Sequence, residues 1–293
     1  VLRKPKVALV AGGATSFTSV GWIWHLLDQK VGLPLALLDI AQLGEIDLAV
    51  YNVLVLPDGS SFAGVLGRST IEKIRRWIQS GGTLIAMNSA AMFCADSTVA
   101  LSSVRPRRQV LAKLGEYEQS ALEEIASDSP DISKLYIWSY PEKADTALRK
   151  DAKPSPKPED LERADELARV FSPSGAILRV QLDKDEWLTF GLGDRVPAMM
   201  TSPTALVAKY PPVRTVGRFA SASALRVSGL LWPEARLRLA NTPYCTQERA
   251  GMGQVILFAG QPNFRAFFRG TERLLSNAIL FGPGLGTSWT PDW

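Results

Sequence analysis

The decapeptide Gly81-Gly82-Thr83-Leu84-Ile85-Ala86-Met87-Asn88-Ser89-Ala90 decides how the chain folds. Its five central residues carry no charge and read as a strand buried on both faces, Thr83 to Met87, which stops at the polar pair Asn88-Ser89. Upstream, Ser69 and Glu72 form a plausible capping box for a helix with Ile71, Ile74, Trp77 and Ile78 on one face, ended by Gly81-Gly82. Further back, Val53-Leu54-Val55-Leu56 is a strand closing on Pro57-Asp58-Gly59, and Pro34 to Ile40 is another. Ser19 to Lys30 has Val20, Ile23, Trp24 and Leu27 at helical spacing, and Lys6 to Ala11 is a first strand entering Gly12-Gly13. Apolar strands alternating with amphipathic helices imply a mostly parallel sheet covered on both sides.

Downstream the alternation breaks. Arg107 to Ser127 reads as a helix with Leu111, Leu114, Tyr117 or Glu118, Leu122 and Ile125 in register. Asp128 to Phe171 is polar, and three prolines in Lys153-Pro154-Ser155-Pro156-Lys157-Pro158 exclude an internal strand or helix there. Glu159 to Val170 reads as a short charged helix. Strand candidates follow at Ala176–Leu182, Trp187–Leu192, Pro197–Ser202 and Ala205–Tyr210, then at Tyr244–Arg249 and Gln254–Ala259 around a hairpin-like Ala250-Gly251-Met252-Gly253. A last amphipathic helix, Asn263 to Phe281, has Asn263 as N-cap and Leu274, Leu275, Ala278 and Ile279 as its buried stripe. This strand–helix unit should complete the sheet begun by the first half. The expected organisation is one domain over 1–293, with an insertion at about 104–174 whose mobile Pro/Lys-rich part lies at about 150–160.

Bulk properties narrow the functions. The 293 residues can bury a large core, and 46% hydrophobic residues is ordinary for a globular chain. No apolar run is long enough to cross a membrane. A net charge of +4 with scattered arginines argues against a nucleic-acid stripe. The single histidine, His25, excludes a two-His zinc site built from this chain alone, and its place in Trp22-Ile23-Trp24-His25-Leu26-Leu27 points to a structural imidazole. Cys94 and Cys245 make no disulfide framework and read as small core residues. Gly12-Gly13-Ala14-Thr15-Ser16 lacks the Gly-Lys-Ser/Thr ending of a phosphate loop and the third glycine of a dinucleotide fingerprint.

In an open α/β sheet, ligands gather at the carboxyl ends of the strands. Three such ends stand out: Asp58-Gly59, Asn88-Ser89-Ala90 and Gln261-Pro262-Asn263. Here the chain resembles the class I glutamine amidotransferase-like superfamily, through Leu54 to Gly59, Gly81 to Ala90 and Gly253 to Phe264. The resemblance implies a flavodoxin-like three-layer α/β sandwich with a mostly parallel central sheet, a long helical and loop insertion and extra antiparallel strands. It also implies a nucleophile elbow at Asn88, where active relatives carry cysteine, with Ala90 at the elbow glycine, Gln261 at the base and Asn263 at the acid. Gly59 keeps the position of an oxyanion donor. Amide side chains cannot take a proton from a nucleophile at neutral pH, so the expected triad is degenerate and no residue is expected to be catalytic.

A closer resemblance rests on Gly21-Trp22-Ile23-Trp24, Gly175 to Val180, Trp187 to Gly191, Ser228-Gly229-Leu230-Leu231-Trp232-Pro233-Glu234 and Pro262 to Thr271. These segments are similar to the amidotransferase-like domain found C-terminal to bacterial zinc carboxypeptidases of the carboxypeptidase A type. That resemblance implies an N-terminal peptidase domain in the same polypeptide that holds the zinc, with no metal or cofactor in this chain. The start at Val1, in Val-Leu-Arg-Lys-Pro-Lys, reads as a cut from such a longer polypeptide, periplasmic or secreted if the parent is secreted. The leading expectation is a non-catalytic accessory domain, with Asp58, Gly59, Asn88, Ser89, Arg265 and Arg269 as ligand-binding candidates. Two rivals stand beside it. One is a hydrolase using Ser89 or Cys94, with Asp58 or Glu186 as base. The other is a glycan- or peptide-binding module with Trp187 or Trp232 as stacking platforms.

Overall fold

The computed structural model describes residues 2–128, 159, 160, 162, 163, 166 and 172–288. The first half builds four parallel strands: β1 (Val7–Ala11), β2 (Leu35–Asp39), β3 (Val53–Leu56) and β4 (Thr83–Met87). All nine residues of β3 and β4 are buried, so these central strands tolerate only apolar side chains and Thr83. Helix α1 (Phe17–Trp24) starts at Ser16, whose hydroxyl accepts from Ser19 N, and runs on as a π-helical stretch, His25–Val31, to Gly32 at φ 68°. A short α2 (Phe62–Val65) precedes α3 (Arg68–Gln79), which buries Ile74, Trp77 and Ile78; Gly81, at φ 111°, turns the chain into β4. Helix α4 (Ser89–Ala95) begins directly after β4.

The second half extends the same sheet. After β5 (Arg105–Pro106) and α5 (Leu114–Asp128) come β6 (Ala176–Leu182), β7 (Arg195–Met200), β8 (Leu206–Val207), β9 (Val213–Phe219), β10 (Arg226–Ser228), α6 (Pro233–Leu239), β11 (Pro243–Ala250), β12 (Gly253–Phe258) and α7 (Arg269–Leu285). One ten-stranded sheet has the order β10-β6-β9-β11-β12-β4-β3-β1-β2, with β7 against β6; β5 and β8 pair separately. β12 inserts parallel to β4, and from β11 outward the pairing is antiparallel. The fold is thus a three-layer α/β sandwich with a mostly parallel centre and an antiparallel wing. The returning strand carries the last helix, whose Leu274, Leu275, Ala278 and Ile279 are fully buried.

Several local expectations need correction. The helix at 68–79 is capped by Gly67 without a side-chain bond, so Ser69 and Glu72 form no capping box. Trp187–Leu192 is a 3-10 turn, Trp187–Thr189, followed by turns rather than a strand, because Asp183 O and Glu186 O accept the Thr189 hydroxyl and curl the chain. Ala205–Tyr210 shrinks to Leu206–Val207. Asn263 does not cap the last helix: the 3-10 turn Phe264–Ala266, with Arg265 and Ala266 at positive φ, separates the two. His25 is exposed rather than packed as a structural imidazole. The Pro/Lys-rich part at about 150–160 lies outside the described residues apart from Glu159 and Asp160.

Candidate functional site

The carboxyl ends of β3, β4 and β12 bring together the three segments singled out in the sequence. At the centre is Asn88, at φ 50° and ψ −116°, a conformation rare for a residue with a side chain. Two constraints hold it. Asn88 N donates to Phe258 O of β12, and the helix that follows starts at once, so the chain must reverse within a single residue. This is the elbow of a strand-to-helix turn, and Asn88 occupies its tip while remaining 7% exposed.

Asp58 organises what surrounds the tip. Its Oδ1 accepts from Ser89 Oγ at 2.5 Å, Gly59 N at 2.8 Å and Ser89 N at 3.2 Å; its Oδ2 accepts from Asn88 Nδ2 at 2.8 Å. A carboxylate only accepts, so the amide of Asn88 must turn its nitrogen toward Asp58. Asn88 Oδ1 then faces Ser202 Oγ at 2.5 Å and Thr204 Oγ1 at 3.0 Å, both donors. Ser89 Oγ also lies 2.5 Å from Gly59 O and accepts from Gly59 N at 2.9 Å. Its single proton goes to one oxygen at a time, Asp58 Oδ1 or Gly59 O.

A second arm leaves through the backbone. Asp58 N donates to Ser19 Oγ at 3.0 Å, Ser19 Oγ donates to Gln261 Oε1 at 2.7 Å, and Gln261 Nε2 donates to Asn263 Oδ1 at 2.6 Å. Gln261 is 6% exposed and Asn263 fully buried. Among the described residues Asn263 Nδ2 has no hydrogen-bond partner. Every link in this arm is neutral, and none can shuttle a proton as an imidazole does.

The arrangement decides several chemical questions. The Gly59 N–H, expected by resemblance at the position of an oxyanion donor, is taken up by Asp58 and Ser89. Ser89 has a carboxylate on its hydroxyl but no imidazole, and that carboxylate already accepts three further donors. Cys94 is fully buried in α4, and burial pushes its thiol up to about 12, so it stays protonated and inert at neutral pH. Glu186 is ion-paired to Arg214 in a separate cluster with Asp183. Among the described residues no group of three or more His, Cys, Asp and Glu side chains is placed to hold a metal ion, and no helix is long and apolar enough to cross a membrane.

Asp58, Gly59, Asn88 and Ser89 are therefore brought into direct contact, while Gln261 and Asn263 join them only through Ser19. Arg265 and Arg269 are not part of this network: both are exposed, and the Arg265 guanidinium lies over the Phe264 ring, 5.4 Å from its centroid. Trp187 is half-buried against the core, while Trp232 is 43% exposed. A groove of about 520 Å³, lined by Tyr117, Leu122, Ile125 and Leu237 among others, shares no residue with the network. Sequence reading missed Ser19, Ser202 and Thr204. Ser19 lies in the first turn of α1, and Ser202 and Thr204 follow the end of β7; hydroxyls at such places are too common to single out without the topology.

The fold is a class I glutamine amidotransferase-like α/β architecture. A chain in the structure of PurLQS from Thermotoga maritima superposes with a TM-score of 0.52 at 10% identity, over 94% of this chain and 98% of that one. A ThuA-like protein from Parabacteroides merdae ATCC 43184 gives a TM-score of 0.53 at 10% identity, over 99% and 93% of the two chains. These likenesses are of fold. No family model matches the sequence, and no curated protein does.

Proposed function

We propose that this chain is a non-catalytic amidotransferase-like domain, in which a closed polar network has replaced the acyl-transfer machinery. One observation carries the reading: the Gly59 N–H and the Ser89 hydroxyl, the groups a substrate carbonyl would need, are bonded to each other and to Asp58; Gln261, the base position by resemblance, is a neutral amide bonded to Ser19. The network joins α1, the β3 and β4 ends, the Ser202–Thr204 segment and the β12 end. Its role is to hold the carboxyl edge of the sheet rigid. The partner we propose is a zinc carboxypeptidase domain in the same polypeptide. Support comes from the sequence segments at 228–234 and 262–271, which lie partly on the surface: Leu230, Trp232 and Phe267 are 66%, 43% and 77% exposed. A small ligand bound over Asp58, Asn88 and Ser89 is a second use of the same edge.

Two measurements test this. Glutaminase and esterase assays on the purified chain, with fluorophosphonate labelling read by intact mass, should show no turnover and no adduct at Ser89. Turnover abolished by Ser89→Ala would refute the non-catalytic reading. Sequencing the reading frame that encodes the chain tests the partner: a frame without a zinc-peptidase domain removes it and leaves the non-catalytic reading standing.

A further inference from the structure

We infer that Asn88-Ser89 is a site of intramolecular succinimide formation, a self-modification that goes beyond the non-catalytic reading and does not rest on it. The step needs the backbone nitrogen of Ser89 to attack Cγ of Asn88, closing a ring through Cα, Cβ and the intervening carbonyl carbon. Cβ and N are set about 120° apart around the Cα–C bond, so for an L residue Cβ eclipses the next nitrogen, and the ring can close, only near a ψ of about −120°. Helical and strand residues sit far from that value. Asn88 rests at ψ −116°, with φ 50°. The elbow imposes in the ground state the torsion that an unfolded Asn-Ser pair must find by chance, the situation in which held geometry lowers a barrier most.

The neighbours supply the remaining parts. Asp58 spans both nitrogens concerned, accepting from Ser89 N through Oδ1 and from Asn88 Nδ2 through Oδ2. The Ser89 nitrogen forms a bond to Cγ, and its proton passes to Asp58 Oδ1. The charge that develops on Asn88 Oδ1 is met by the hydroxyls of Ser202 and Thr204, already at 2.5 and 3.0 Å. The Cγ–Nδ2 bond then breaks, and ammonia leaves with the proton held by Asp58, which returns to its carboxylate form. Water from solvent opens the ring to aspartate or isoaspartate. Either product sets a second carboxylate against Asp58 and removes the amide donor, so the polar network opens on one side.

The test is incubation of the purified chain in neutral buffer, with mass analysis of the peptide spanning Asn88-Ser89. The expected result is loss of the mass of ammonia followed by gain of the mass of water at Asn88, at least about tenfold faster in the native chain than in the same chain held unfolded in urea. Thr204→Val, which removes one hydroxyl and keeps the volume, should slow the native reaction about tenfold or more. A native chain that keeps Asn88 intact for as long as the unfolded one overturns the inference, as does an unchanged rate in Thr204→Val.

Discussion

Ser19 Oγ lies 2.7 Å from Gln261 Oε1 and donates to it, although the two residues are 242 positions apart. The bond ties the first turn of α1 to the end of the last strand and closes the neutral arm of the network. Truncating Gln261 leaves the Ser19 hydroxyl and the Asn263 amide short of partners in a buried place. Gln261→Ala should therefore cost about 1–3 kcal/mol, the penalty for unsatisfied buried polar groups. Urea denaturation followed by tryptophan fluorescence measures it. No change in midpoint would show that the arm contributes nothing.

Gly59 has no room for a side chain. A Cβ there would lie 2.1 Å from Ala14 O and 2.9 Å from Thr15 Cα, because the β1 and β3 loops cross at the Thr15–Gly59 bridge. Both obstacles are backbone, so the loops must part. Gly59→Ala should cost several kcal/mol, about the range for broken cores and strained backbones, and should release the Ser60 N to Ala14 O bond. Amide hydrogen exchange at Ser60 reports this directly; unchanged protection would contradict it.

Much of this was readable from the chain, for reasons that differ by element. Thr83–Met87 and Val53–Leu56 were read to the residue, because strands buried on both faces leave an uninterrupted apolar run. The antiparallel wing was harder. β9, Val213–Phe219, carries Arg214 and Arg218, whose partners Asp183, Glu186 and Glu124 are distant in sequence, so its charges masked a strand. The short β10 and α6 went unread as well. At the site, the strand-end segments around Asp58, Asn88 and Gln261 could be singled out from the sequence. That Asp58 would accept from Gly59, Asn88 and Ser89 together could not: the contact depends on the orientation of a side chain one strand away.

Glu124 and Arg218 form a buried ion pair at 2.6 Å, their side chains 5% and 13% exposed, and Glu124 Oε1 also accepts from Thr215 N. The pair fixes α5 to β9. Removing the cation takes the guanidinium from a buried carboxylate. Arg218→Met should destabilise the fold by about 3–5 kcal/mol. The double variant Glu124→Met with Arg218→Met should recover part of that loss by removing the buried charge, the remainder being the Thr215 N–H that loses its acceptor. Equal losses in single and double variants would argue against this.

Cys94 gives a pH signature. Its thiol is raised from 9.0 to about 12 by burial alone. Below pH 9.0 the folded and unfolded states both hold the proton, and the contribution to stability is fully present. As pH rises beyond 9.0 the unfolded thiol ionises while the folded one cannot, so stability falls up to the folded value of about 12. Cys245, raised by burial and by nearby Glu186, adds to the same trend. Alkaline denaturation should therefore be shallower in Cys94→Ala than in the parent chain, whatever the cavity costs at neutral pH. In the native parent, iodoacetamide should leave Cys94 unmodified at mildly alkaline pH and label it only after unfolding. A parallel pH slope in the two proteins, or rapid labelling of the folded chain, would mean that Cys94 is reached by solvent.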